Sequence, residues 1–399
     1  MKKILRPILY FAYLFSSLLI RPKTCHVTFL SEPDATDNSW FFYKYLNGLV
    51  SDYTLVWLVS NDSEDICNKI KNTRMGSANI IKIVKKNSLK GFYFLLRSKV
   101  VFFTHGTYFF IGNSFGQRVF VNLWHGMPIK KIAYMDGRER HQVPYCDYSI
   151  STSCYFRTII AQSFGISEER VLNYGLPRND LFLEHNGVAE LRPDKSNIRN
   201  TLELSSQDKI VVWLPTYRVS GVGEIRQDSS SSSFLDEVPE NFLEKLSGVA
   251  KDRGFSVLIK LHPLDHLNKT LSAMQGFEKV RLFSSDDWAR LDIELYELLS
   301  VSDMLISDVS SVIVDYMLTG RKIAIVHSSV ERYSRGYAFD IDKVVSSVDV
   351  IRAPEDILEI LNAPEKSIEN FEFFHSAAHQ PSLSSQRIYD YFFVEDNLR

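Results

Sequence analysis

The chain has little cysteine for its length: Cys25, Cys67, Cys146 and Cys154 are the four in 399 residues. They form no C-x-x-C pair and keep no zinc-like spacing with histidine. A disulfide scaffold is thereby excluded, and reduced thiols in a cytosolic protein are the simplest reading. A basic excess is also missing. Lys and Arg number 46 against 48 Asp and Glu, for a net charge of -2, so nucleic acid is not expected as a partner. The apolar runs are short as well. The longest, Ile8 to Ile20, would reach about 20 Å as a helix against a hydrocarbon core of about 30 Å.

That N-terminal run has basic flanks, Lys2, Lys3 and Arg6 before it and Arg21 and Lys23 after it. Arg21-Pro22-Lys23 stands where a signal peptide would carry small residues. Two readings remain for residues 1–22: an apolar helix lying on an anionic membrane surface, or a first helix docked on the protein.

At 399 residues the chain is long enough for two cores. His26–Leu30, Tyr53–Val59, Ile80–Val84, Val100–Thr104, Val119–Leu123 and Tyr148–Ser151 read as strands, most separated by helical periodicity. A second series begins near Lys209, with Ile210–Leu214, Ser256–Leu261, Val280–Phe283, Met304–Ile306 and Lys322–Val326. Alternation of this kind predicts parallel sheets covered on both faces. The fold expected is α/β of glycosyltransferase-B type, two doubly wound Rossmann-like domains facing across a cleft, after a short N-terminal apolar helix. The boundaries expected are 23–185 for an N-terminal acceptor domain and 205–375 for a C-terminal donor domain, with 376–399 as a helix packing back toward the first. Arg178 and Asp180 sit near the expected hinge, where Arg178 is read either as a brace or as a turn residue after Pro177.

In open parallel sheets, ligands bind beyond the carboxyl ends of the strands. Four polar clusters fall there. Val119–Leu123 runs into Trp124-His125-Gly126-Met127-Pro128-Ile129-Lys130-Lys131, and Ile210–Leu214 into Pro215-Thr216-Tyr217-Arg218. Ser256–Leu261 runs into His262-Pro263, and Met304–Ile306 into Ser307-Asp308-Val309-Ser310-Ser311. The last reads as strand, polar loop and helix, with Ser310 or Ser311 as N-cap, a place that can receive phosphate. Taken singly, each cluster has a structural explanation; four at one edge point to a site for a phosphorylated ligand. His105, after Val100–Thr104, repeats the placement of His125, with a structural role favoured.

These stretches, with Gly175-Leu176-Pro177-Arg178-Asn179-Asp180, Lys260-Leu261-His262-Pro263, the Asp308 to Asp315 block, Tyr333 and Arg335-Gly336, resemble the CDP-glycerol glycerophosphotransferase family of teichoic-acid and capsule polymer primases and polymerases. The resemblance runs in family order from about Val100 to Asp340, with weaker agreement at Ser31 to Asn38. It implies a CDP-glycerol donor, transfer of glycerol phosphate to a hydroxyl of a lipid-linked or polymeric acceptor with release of CMP, and peripheral attachment to the cytoplasmic face of the cell membrane. It makes His125 the candidate general base and His262 the group acting on the diphosphate or departing phosphate. Thr216, Arg218, Asp308, Ser310, Ser311, Arg335 and Gly336 fall on the donor side, and Gly126, Lys130, Lys131 and His105 on the acceptor side. No metal site and no required cofactor are expected, magnesium entering at most with the donor. Departures from the family pattern at Met127, Tyr217, Val219 and Val309 leave CDP-ribitol open as donor. A nucleotide-sugar glycosyltransferase of the same fold is the rival enzyme, and a non-catalytic membrane-surface scaffold the rival of another class.

Overall fold

The computed structural model describes residues 2–49, 52–73, 78–113, 118–183, 193–215, 241–262, 277–308, 310–326, 336–364, 368 and 370–395. The chain divides into two compact units, the first Met1–Asp180 with Glu372–Arg399, the second Leu181–Phe371.

In the first unit the strands are β1 (Lys23–Leu30), β2 (Thr54–Val59), β3 (Ile80–Lys85), β4 (Ser98–Phe103), β5 (Val119–Asn122), β6 (Tyr148–Ile150) and β7 (Val171–Leu172). They form one sheet in the order β3-β2-β1-β4-β5-β6-β7, every pair parallel. Parallel strands covered on both faces become continuously apolar, and β2 (TLVWLV) and β4 (SKVVFF) are buried along their whole length. The helix after β1, which we label α2 (Asp37–Gly48), packs its aromatics onto them. Phe42 meets Phe102 edge-on at 4.7 Å, and Tyr43 meets Phe29 at 5.5 Å. Each such fully buried ring contributes about 1.5–3 kcal/mol of transfer energy.

The second unit repeats the winding with β8 (Lys209–Leu214), β9 (Phe255–Lys260), β10 (Val280–Phe283), β11 (Met304–Ser307), β12 (Lys322–Val326) and β13 (Asp349–Ile351), in the order β10-β9-β8-β11-β12-β13. Its core joins Val211, Trp213, Ile259, Met304 and Ile306 to Leu246 and Ile357 of the covering helices. In each unit the strand order reverses between the first strand and the fourth, so the loops leaving those strands diverge and open a crevice at their carboxyl ends. The sequence reading has no counterpart for β7 and β13. With two and three residues, they are too short to show as apolar runs.

The N-terminal helix, α1 (Lys2–Leu19), belongs to the first unit. Tyr10 Oη donates to the Asn113 carbonyl at 3.0 Å, Tyr13 Oη to Gly112 at 3.3 Å, and Arg6 Nε to Phe109 at 3.2 Å. The approach is close at Gly112, where a Cβ would stand 3.1 Å from the Tyr10 ring. The opposite face exposes Leu5, Ile8, Phe11, Phe15, Leu18 and Leu19. One face of this helix docks on the first unit, as one of the two sequence readings expects, and the other face is bare. Among the described residues, no helix is long and apolar enough to cross a membrane.

The chain returns to the first unit at Glu372. Asp180 is buried, and its carboxylate accepts the backbone N–H of Ser384 at 2.8 Å and of Ser385 at 3.0 Å, at the start of the helix Ser384–Tyr389. Arg387 donates back to the Tyr174 carbonyl. The following turn, Asp390–Val394, places Phe392 against Phe102 at 5.8 Å and Tyr148 at 5.4 Å. Asp180, expected at the hinge, is therefore the last residue of the first unit and clamps its C-terminal helix.

Candidate active site

The carboxyl ends of β1, β4 and β5 bring three loops of the first unit together. The β4 loop carries Thr104-His105-Gly106 and the β5 loop Trp124-His125-Gly126. The two imidazoles stack, with ring centroids 4.2 Å apart and planes within 8°. Trp124 covers His125 from another side at 3.9 Å. The turns that permit this are tight: Gly106 has φ +135, Gly126 φ +129, and even Trp124 has φ +46. Positive φ is costly for a bulky side chain, which points to a conformation imposed by its surroundings.

Those surroundings come from the β1 loop. Asn38, fully buried at the start of α2, donates from Nδ2 to the carbonyls of Leu123 at 3.1 Å and Trp124 at 2.8 Å. Its Oδ1 accepts the Arg178 backbone N–H at 3.2 Å. Asp37 beside it pairs with the Arg178 guanidinium at 2.8 Å, both side chains largely covered. One amide therefore ties the loop bearing His125 to the loop bearing Arg178.

The electrostatics follow from this packing. Loss of surrounding water holds His125 well below the usual histidine range, and His105 and the Arg178 guanidinium add to the effect. His105 is also lowered, chiefly by desolvation, with Asp37 opposing. His125 Nδ1 lies 3.5 Å from the Thr104 carbonyl. A carbonyl can only accept, so this long contact favours the proton on Nδ1 and leaves the Nε2 lone pair as a base.

In the second unit, His262 follows β9 and lies two residues beyond Lys260. Burial pushes the Lys260 ammonium down to about 8, and it sits 5.8 Å over the Trp288 ring. After β11, Ser307 Oγ donates to the Leu214 carbonyl at 3.0 Å, and Asp308 is buried. Ser310 occupies the N-cap of the helix Ser311–Tyr316 without a capping bond from its side chain. Asp315, inside that helix, accepts Tyr296 Oη at 2.5 Å, which assigns it to the core. Thr216, Arg218, Tyr333 and Arg335 lie outside the described residues, while Gly336 is described with φ +70. Lys130 is half-buried and Lys131 exposed beyond His125.

A family model for CDP-glycerol:poly(glycerophosphate) glycerophosphotransferase matches residues 10–394. The chain belongs to this glycerophosphotransferase family. It is 25% identical over 335 residues to a teichoic acid poly(glycerol phosphate) polymerase of Staphylococcus epidermidis, a match covering 79% of this chain and 42% of that one. It is 24% identical over 364 residues to a teichoic acid glycerol-phosphate transferase of Staphylococcus aureus, covering 86% and 84%. The solved wall teichoic acid polymerase TagF superposes with a TM-score of 0.71 at 20% identity, over 98% of this chain and 93% of that one, and shares its fold.

Within this family member, sequence reasoning placed the two histidines after their strands but missed what holds His125. Asn38 and Asp37 lie in a polar loop after the first strand, where the resemblance to the family is weaker and singled out neither residue. Lys260 was read only as part of the stretch before His262, since its burial depends on Trp288, 28 residues on. Asp340-Ile341-Asp342 has D-x-D spacing that the reading passed over. Here the Asp342 N–H bonds Asp340 Oδ1 at 3.1 Å to open a short helix, and among the described residues no three metal-ligating side chains converge.

Proposed function

We propose that the chain transfers glycerol phosphate from CDP-glycerol to a hydroxyl of a membrane-linked or polymeric acceptor in the synthesis of a teichoic-acid-like or capsule polymer. The observation that carries this reading is the imidazole of His125, stacked on His105 at the carboxyl edge of a parallel sheet in a chain of this family, with burial lowering its pKa. The acceptor oxygen attacks the glycerol-bearing phosphorus and the phosphoanhydride bond breaks. CMP departs with the bridging oxygen, and the acceptor proton passes to His125 Nε2. His262 protonates or holds the departing phosphate; Thr216, Arg218, Asp308, Ser310, Ser311, Arg335 and Gly336 bind the donor. Gly126, Lys130, Lys131 and His105 form the acceptor side. Charge neutralisation by these groups makes a divalent cation dispensable.

Attachment is peripheral, at the cytoplasmic face of the membrane, through the bare apolar face of α1; aromatic and aliphatic side chains of that kind settle at the headgroup boundary. The test is incubation with radiolabelled CDP-glycerol and a lipid-linked acceptor. CMP release with label in the acceptor is expected. Turnover of CDP-ribitol alone would move the assignment to ribitol phosphate, and turnover of a nucleotide sugar without CMP release would overturn it.

A further inference from the structure

A cavity of about 750 Å³ opens in the first unit next to the histidine pair. Two wall residues make the connection. Phe164 meets Trp124 edge-on at 4.9 Å, and Trp124 lies on His125. Pro144 closes on Gly106, the residue after His105, so tightly that a Cβ there would stand 3.2 Å away. The volume falls in the range of about 300–1,000 Å³ that suits small-molecule sites.

Its lining is cationic and aromatic. Arg6 comes from α1, Arg140 from the turn Arg140–Gln142 and Arg170 from the turn Glu168–Arg170. None of the three lies within 4 Å of a carboxylate among the described residues. The opposing carboxylate in the wall, Asp147, is already engaged: it accepts Tyr145 Oη at 2.6 Å and the Phe120 N–H at 2.9 Å. Tyr134 closes another side over Gly165, whose absent side chain leaves room for the ring. Arg170 lies 5.5 Å over the Tyr148 ring and partly balances the Asp147 charge, so three guanidiniums line a cavity with a single carboxylate. That cationic excess suits phosphate oxygens, which guanidiniums grip in forked pairs.

We propose that this cavity holds a phosphodiester-bearing segment of the acceptor. The guanidiniums take its phosphate, and Tyr134 and Tyr145 lie against its polyol or sugar carbons. The assignment rests on the transferase reading, and it gives a use to the α1 cation in the cavity wall: an acceptor rising from a lipid passes Arg6 before its hydroxyl reaches His125.

Calorimetric titration of the full chain with synthetic tri(glycerol phosphate) tests it. Saturable binding is expected, weakened at least about tenfold in the Arg140→Gln/Arg170→Gln double variant and weakened by raising salt from about 0.05 to 0.5 M. Arg140→Lys should lose less than Arg140→Gln, because it keeps the charge without the fork. Arg253→Gln, in the second unit, should bind as wild type, and matching melting curves establish that the double variant is folded. The proposal is overturned if the wild type does not bind the oligomer, if the double variant binds it equally well, or if inorganic phosphate alone saturates the site with the same affinity. It is also overturned if only phosphatidylglycerol vesicles distinguish the variants, which would assign the arginines to lipid headgroups. No donor is present in the titration, so a failure of CMP release would sink the transferase reading without deciding this one.

Discussion

The rings of His105 and His125 lie face to face, 4.2 Å between centroids and within 8° of parallel. Two positive charges at that separation would repel by about 4 kcal/mol in a surface-like dielectric. The pair therefore resists protonation, which keeps His125 a proton acceptor under conditions where an ordinary histidine is half charged.

The acid limb of kcat/KM should accordingly lie below pH 6.5. His105→Gln removes a neighbour that lowers the His125 pKa, so it should shift that limb to higher pH. His125→Ala should cut turnover by about 10²-fold or more. The stability consequence has the same origin. The folded His125 binds a proton less readily than the unfolded one, so stability should be complete above pH 6.5 and decline as pH falls below it toward the folded pKa. Paired pH–rate and pH–melting profiles of wild type and His105→Gln check both. An unmoved acid limb in the variant would remove His105 from the account.

Asn38→Ala should cost about 1–3 kcal/mol, because it leaves two carbonyls and the Arg178 N–H without their partner in a buried place. Its effect on turnover should exceed its effect on donor KM, since the loop that drifts carries His125. Urea unfolding and steady-state kinetics together separate the two; equal losses in both kinetic parameters would mark Asn38 as merely structural.

How far the sequence could lead follows from these residues. The strand grammar, written twice, was legible because parallel strands buried on both faces carry continuous apolar runs, as residues 55–59 of β2 and 100–103 of β4 do. His125 and His262 were legible because strand ends can be found from the same runs. Asn38 was not, since its worth depends on meeting Trp124, 86 residues away. The arginine-lined cavity was hidden for the same reason: Arg6, Arg140 and Arg170 become neighbours only through the docking of α1 and the order of the later strands. The two faces of α1 were also beyond reach, because tyrosine hydroxyls reaching inward and phenylalanines reaching outward read in sequence as one apolar run.

Lys260→Met should raise the melting temperature at pH 7. Burial holds the ammonium near 8, so the folded state binds its proton less readily than the unfolded chain does. That penalty is present below pH 8 and disappears as pH rises through 8 toward 10.5, where the unfolded lysine also loses its proton. The difference between variant and wild type should shrink over that window. A gap independent of pH would mean packing, not charge, is responsible.

Phe11→Ser/Phe15→Ser should leave the melting temperature unchanged, since these rings are 70% and 65% exposed. Its binding to anionic vesicles should fall at least about tenfold, in line with the transfer energy lost from two half-inserted rings. Vesicle sedimentation measures this directly, and equal sedimentation of the variant would show that α1 is not the anchor.

Gly175→Ala tests the clamp on the C-terminal segment. Gly175 has φ +83, and a Cβ there would fall 2.6 Å from Ser384 Oγ, at the start of the helix that Asp180 holds. Two costs add: about 1–2 kcal/mol for placing an L side chain in left-handed backbone, and the displacement of Ser384. Gly137→Ala carries only the first, since Gly137 has φ +70 with nothing within 4 Å of the added carbon. The melting temperature should therefore fall further for Gly175→Ala than for Gly137→Ala, at about 2–4 °C for each kcal/mol. Limited proteolysis should cut the 384–395 segment faster in Gly175→Ala alone, because loosening Ser384 frees one of the two N–H groups that Asp180 holds. Equal melting and equal cleavage in the two variants would mean that the segment is retained by Phe392 packing on Phe102 and Tyr148, with the Asp180 clamp contributing little.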